Sequence, residues 1–160
     1  MTGDQIIANL ELKPLPNEGG FFRETYRSKE RHGGKAAATA IYYLITPTSF
    51  SALHRLPTDE VWHFYQGDPV RQLRLYADGS SEEVVLGNDL SQRQQSQICV
   101  PAGAWQGTQL ISGGHFALLG TTMSPGFEFS DFELGDREEL EQRYPQHQQR
   151  IFDLLPFLPQ

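Results

Sequence analysis

The sequence predicts a mainly β barrel or sandwich with short helices at its two ends. Short apolar, aromatic and β-branched runs recur between residues 21 and 123, spaced as in all-β domains. Turn-forming Gly, Pro, Asn and Asp residues separate them. Helical periodicity is confined to the first stretch and to the region after Gly135. A parallel α/β sheet would instead interleave helical patterns with the strands.

Thr2 with Gln5 three residues on fits a capping box, and Ile6, Ile7 and Leu10 then share a helical face until Pro14 stops it. Strands are predicted at Phe21 to Tyr26 and Ala38 to Ile45, joined by the polar loop Ser28 to Lys35. Further strands are predicted at Phe50 to Leu53, Glu60 to Gln66, Val70 to Tyr76, Glu82 to Leu86, Gln97 to Val100, Gln106 to Ile111 and His115 to Met123. Between them lie Gly67-Asp68-Pro69, Asp78-Gly79, Gly87-Asn88, Pro101-Ala102-Gly103 and Gly113-Gly114. Asp136 can cap a helix with Glu139 reaching back. A second helix after Pro145 carries Ile151, Leu154 and Leu155, and both should pack on the outside of the barrel.

At 160 residues, with no internal repeat and no long Pro/Gly/Ser linker, the chain is expected to form one domain over 1–160. Its 13 Lys and Arg against 20 Asp and Glu give a net charge of −7, which disfavours phosphate backbones and anionic lipid. Nucleic acid and membrane are not expected partners. The acidic run from Glu128 to Glu141 reads as a solvated helix face. With Cys99 the single cysteine, no cationic leader and no apolar run long enough to span a bilayer, a cytoplasmic location is expected.

The stretch richest in chemistry is HRLPTDEVWHFYQG, His54 to Gly67. Strand alternation puts Glu60, Trp62 and Phe64 on one face, and Val61, His63 and Tyr65 on the other. If the first face points inward, Glu60 is a carboxyl raised by desolvation beside aromatic rings, able to act as acid or base. Otherwise it is a carboxylate satisfied by Arg55 or a backbone N–H, and His54 a surface histidine. In PAGAWQG, Pro101 and two glycines shape a turn that delivers Trp105 and Gln106 to a strand. Upstream, Gly19-Gly20 would let the chain approach a ligand. Arg23 and Thr25 share a strand face with Phe21, either as ligand contacts or as solvated edge residues.

These two segments resemble the cupin superfamily motifs G-x5-H-x-H-x3,4-E-x6-G and P-x-G-x2-H-x3-N: His54, Glu60 and Gly67 match the first, Pro101 and Gly103 the second. The departures are Leu56 for the second His, Gln106 for the last His and Leu110 for the Asn. The strings Glu18 to Tyr26, Ile41 to Leu44, Asp59 to Pro69, Val100 to Gly107 and Pro125 to Phe129 are similar to the cupin type 5 family, whose members are largely uncharacterised. The resemblance implies a double-stranded β-helix, a jelly-roll barrel similar in fold to sugar-nucleotide epimerases, and commonly a homodimer. Exposed sheet edges give a second reason to expect a homodimer.

A cupin metal site uses imidazoles and one carboxylate. Here only His54 and Glu60 remain as strong ligands, with Gln106 a weak amide donor, so no metal or other cofactor is expected. The expected function is binding of a small polar ligand by Arg23, Thr25, Tyr42, Trp62, Phe64, Trp105 and Gln106. One alternative is a metal-free isomerase or epimerase acting on a sugar or related metabolite, with Glu60 and His54 as the acid and base and His63, Tyr42 or Tyr65 as further groups. Another is a metal-dependent oxygenase or isomerase using His54, Glu60 and Gln106.

Overall fold

The computed structural model describes residues 1–155; residues 156–160 of the expected domain lie outside them. Thr2 caps helix α1 (Gly3–Leu10) as the sequence predicts: its hydroxyl accepts from the Gln5 N–H and the Gln5 side chain accepts from the Thr2 N–H. The buried face of α1 presents Ile6 to Leu12 and Leu44.

Each predicted strand forms, with ends shifted by at most two residues. Lys13–Pro14 (β1), Phe21–Arg27 (β2), Thr39–Ile45 (β5), Glu60–Gly67 (β7), Gln97–Val100 (β10) and Ala117–Met123 (β12) make one six-stranded sheet in the order β1-β2-β5-β12-β7-β10. Its partner has five strands: Ser51–Arg55 (β6), Val70–Leu75 (β8), Ser81–Leu86 (β9), Trp105–Leu110 (β11) and Glu133–Leu134 (β13), in the order β13-β6-β11-β8-β9. A two-stranded hairpin, Arg31–His32 (β3) with Lys35–Ala36 (β4), occupies the predicted polar loop. All the strand pairings within the sheets are antiparallel, and the two sheets enclose a jelly-roll barrel.

Period-2 alternation fills the barrel from both sheets. Tyr43, Ile45, Trp62, Phe64, Val70, Val84, Leu86, Ile98 and Leu119 form its interior. Outside the five-stranded sheet, Leu53, Leu73, Leu75 and Trp105 meet Leu140 of helix α2 (Arg137–Arg143), Tyr144, and Ile151 and Leu154 at helix α3 (Gln148–Asp153). The C-terminal helices thus cover the outer face. Asp136 caps α2 through the Glu139 N–H. Among the described residues no helix is long and apolar enough to cross a membrane.

Two irregularities decide what reaches the interior. Pairing of β2 with β5 shifts register between Glu24 and Tyr26, a bulge at Thr25. Beyond it Arg27, rather than Tyr26, turns to the barrel side. In β6 a second shift aligns both Ser51 and His54 with β11, opposite Thr108 and Gln106. Residues three apart in a regular strand would point to opposite faces; the extra residue lets both point inward.

Candidate functional site

A cavity of about 50 Å³ lies at one end of the barrel, lined by Leu15, Glu18, Phe22, Glu24, Arg27, Ile41, Tyr43, Leu56, Glu60, Trp62, Thr121, Phe127 and Phe129. Beside it is the innermost polar row, in which cross-strand register sets His54 opposite Gln106, and Gln106 opposite Arg74.

Glu60 begins β7 and is only 7% exposed. Its Oε2 accepts from Gln106 Nε2 at 2.8 Å, while Gln106 Oε1 accepts from Trp62 Nε1 at 2.9 Å. An indole nitrogen can only donate, so Trp62 fixes which end of the Gln106 amide faces it. The other end, an NH₂, is thereby aimed at Glu60. Trp62 is held in turn edge-on against Tyr43, with ring centroids 5.7 Å apart.

Glu18 arrives from the turn between β1 and β2. Gly19 and Gly20 have φ of +94° and +69°, and a Cβ on Gly20 would lie 2.5 Å from the Tyr43 hydroxyl. The close approach these glycines permit is to the barrel wall, not to a ligand, and it seats Glu18 in the interior. Tyr43 donates to the Gly19 carbonyl at 2.6 Å, and Ser51 Oγ donates to Glu18 Oε1 at 2.7 Å. The second Glu18 oxygen stands 3.9 Å from His54 Nε2. His54 Nδ1 lies 2.6 Å from the Ala52 carbonyl, which can only accept, so the neutral imidazole carries its proton on Nδ1 and leaves Nε2 bare.

Burial dominates the electrostatics. It raises the Glu18 carboxyl to about 7, against the hydroxyls of Ser51 and Tyr43. It raises Glu60 too, with the charge of Glu18 adding and His54, Thr121 and Gln106 opposing. The His54 imidazole is held below its ordinary value by the same desolvation, against the pull of Glu60. Two carboxyls and a neutral imidazole therefore form a group with proton-holding capacity near neutral pH.

Of the residues singled out in the sequence, Glu60, Trp62, His54 and Gln106 come together here, and Phe64 packs deeper in the same interior. His63 lies on the opposite face of β7, against Thr122 and Tyr65. Four expected ligand contacts lie elsewhere. Arg23 and Tyr42 are cross-strand neighbours on the outer face of the six-stranded sheet, the guanidinium 5.7 Å from the ring. Thr25 sits at the bulge and donates to the Ala40 carbonyl. Trp105 points away from the interior, under the C-terminal helices, with Arg55 4.6 Å above its ring. It is the odd partner of inward-facing Gln106, so strand alternation excludes it from the cavity.

Glu18, Tyr43, Arg27, Phe127 and Phe129 were not singled out as site residues. The acidic run is also corrected: Glu128, Asp131 and Glu133 precede the helix and pair with Arg27, Lys35 and Arg55.

The donor set does not fit the transition metal of the cupin pattern. Leu56 puts an apolar wall where an imidazole is needed, and the only Gln106 atom with ligating capacity, the neutral amide oxygen Oε1, is a weak donor that already accepts from Trp62. Among the described residues no three His, Cys, Asp or Glu side chains are grouped to hold a metal.

The chain resembles proteins of known sequence and structure over most of its length. An uncharacterised protein of Saccharomyces cerevisiae, YML079W, is 30% identical over 132 residues, 71% of this chain and 66% of the yeast protein, just under two thirds of its length. Protein SO0799 of Shewanella oneidensis superposes with a TM-score of 0.91 at 34% identity over 98% of both chains. A hypothetical protein of Leishmania major gives 0.90 at 32% identity, over 98% of this chain and 100% of that one. Oxalate decarboxylase of Bacillus subtilis shares the fold alone, at 14% identity and a TM-score of 0.58, with 94% of this chain covering 41% of it. Residues 4–135 match the family model described as Cupin superfamily (DUF985), and the chain belongs to that family.

Proposed function

We propose that this cupin binds a small polar ligand in the cavity at one end of its barrel and handles it without a transition metal. The observation that carries the reading is the Trp62–Gln106–Glu60 chain. It turns the residue at the family's last metal-ligand position into a hydrogen-bond donor aimed at a carboxyl. The rest of the cavity has the composition of a ligand site, with apolar and aromatic walls around a few converging polar groups. Two experiments test it together. Protein denatured after gentle purification is screened by mass spectrometry for a released small molecule, and titration calorimetry measures Mn, Fe, Ni and Zn binding. The reading expects a released organic molecule and metal affinities no tighter than those of a generic surface site. A stoichiometric metal surviving dialysis would overturn it.

A second reading, a metal-free isomerase or epimerase, is favoured by the facing of Glu18, His54 and Glu60. Proton transfer next to a carbonyl needs one group that gives a proton and one that takes it, and two carboxyls lining one cavity supply both. Solvent deuterium incorporation into candidate sugars or hydroxy-carbonyl compounds, lost in Glu18→Gln and Glu60→Gln, tests this reading separately. We also propose a cytoplasmic homodimer, since the short edge strands β1 and β10 leave backbone groups for a second copy to cover. Light scattering giving a single-chain mass at micromolar concentration would count against it.

A further inference from the structure

The segment Phe127 to Glu133, FEFSDFE, crosses the cavity mouth with its residue types sorted by direction. Phe127 and Phe129 line the cavity and contact each other edge-on, centroids 5.1 Å apart. Phe132 stacks on His54, also at 5.1 Å. The acidic residues of the segment pair with three cations on different elements, Arg27 of β2, Lys35 of the β3–β4 hairpin and Arg55 of β6. Glu128 pairs with Arg27 at 3.2 Å, Asp131 with Lys35 at 2.5 Å and Glu133 with Arg55 at 2.7 Å. Arg27 is itself a cavity residue, gripped by Glu24 at 2.8 Å and donating to the Phe127 carbonyl at 2.9 Å.

Both ends of the segment are tied through the backbone, the first to the β3–β4 hairpin and, through the Phe127 N–H, to the Thr39 hydroxyl of β5, the second to β6. Gly126 N–H donates to the Ala36 carbonyl, and a Cβ there would lie 2.8 Å from Thr39 Cγ2. At the other end β13 pairs with β6, and Gly135 N–H donates to the Leu53 carbonyl. Between these ties the chain turns on itself: Asp131 N–H donates to the Glu128 carbonyl and Phe132 N–H to the Phe129 carbonyl. The middle is thus held to the barrel chiefly by side chains.

We propose that residues 127–132 form a strap that opens and closes the cavity, with Phe127 and Phe129 as its ligand-contacting residues, Glu128 and Asp131 as its ionic clasps, and the Glu133–Arg55 pair reinforcing its anchored end. A 50 Å³ cavity holds only a few waters, so an organic ligand larger than that must displace part of its wall. This strap is the wall held by separable contacts. The three pairs are solvent-accessible, the least buried having side chains 42% and 53% exposed. Such pairs are individually weak and screened by salt. The proposal gives the cavity reading an entrance, but its test needs no ligand.

Hydrogen exchange is measured on the wild type and on Glu128→Gln/Asp131→Asn/Glu133→Gln, each at low salt and at about 0.5 M salt. Loss of the two outer ion pairs and the half-buried Lys35–Asp131 pair should speed exchange at 127–132 by roughly tenfold. It should leave β5, β7 and β12 unchanged, and salt should act on the wild type but hardly on the variant. An Arg150→Gln control, which removes the distant Arg150–Glu83 pair, should not accelerate the strap. Unchanged strap exchange in the triple variant, or acceleration spread equally over β5, β7 and β12, overturns the proposal. Ligand release by the wild type leaves this outcome unaffected, so failure of the strap and failure of the cavity reading are separately visible.

Discussion

Removing the Gln106 side-chain amide should cost more than an ordinary surface hydrogen bond. Gln106→Leu keeps the volume roughly constant but strands two buried partners, the Trp62 indole N–H and Glu60 Oε2, which lie 2.9 and 2.8 Å from the amide. Leaving a buried polar atom unpaired costs about 1–3 kcal/mol, so the variant should lose about 2–6 kcal/mol in urea denaturation. Gln106→Glu refines the expectation. Its carboxyl can still accept from Trp62, but only its protonated form can donate to Glu60. That carboxyl should therefore be raised in the folded state relative to the unfolded chain. The variant's stability should approach the wild type at low pH and fall away as pH rises through the folded value. A loss below about 1 kcal/mol for Gln106→Leu, or a pH-independent deficit for Gln106→Glu, would refute the hydrogen-bonded chain as described.

Three further outcomes are expected. Because Glu18 is raised from 4.5 to about 7 on folding, its proton favours the folded state. That contribution is fully present below pH 4.5 and lost as pH rises through 7, worth roughly 3 kcal/mol at most. Glu18→Gln should flatten this part of the pH–stability curve. Gly20→Ala, which forces a side chain onto Tyr43 at a φ of +69°, should destabilise by about 2 kcal/mol or more and disturb the cavity through Glu18; a neutral result would contradict the seating of that turn. Leu56→His with Gln106→His should raise affinity for Mn, Ni or Zn by two or more orders of magnitude over the wild type, read by calorimetry, provided a structure of the variant shows both imidazoles facing the cavity.

The barrel was legible because its signals are local. Alternation and turn chemistry place every long strand, and the motif spacing aligns His54, Glu60 and Gln106. What escaped the sequence is what depends on register. Arg23 and Thr25 were chosen from an unbroken β2 alternation, but both sides of that strand meet other chain segments, and the bulge at Thr25 swaps the parity beyond it. Ser51 was hidden by the shift in β6. Tyr42 and Tyr43 differ by one position in a run of β-formers, TAIYYLI, and only pairing with β2 and β12 tells which faces inward. Glu18 lies in a turn, where no periodicity assigns a face. Its one sequence signal was the adjacent glycine pair, read as room for a ligand when it is room for Tyr43.

The substitutions at the metal-ligand positions and the state of the carboxyls are physically one change. A bound divalent cation holds neighbouring carboxylates ionised by supplying the opposite charge that burial would otherwise deny them. Once Leu56 and a committed Gln106 occupy two ligand positions, that charge has no seat, and His54, buried with its Nε2 bare, stays neutral rather than replacing it. The inner arginine of the polar row, Arg74, is directed to Gln72 and Glu82 and does not compensate Glu18 or Glu60. Burial accordingly raises both carboxyls, Glu18 to about 7 and Glu60 above its ordinary value, so each holds its proton more tightly than a solvated carboxyl does. On the proposed metal-free reading, the cavity offers a Brønsted rather than a Lewis-acid environment, and a divalent cation bound by the Leu56→His/Gln106→His variant should push Glu60 back toward its ionised form.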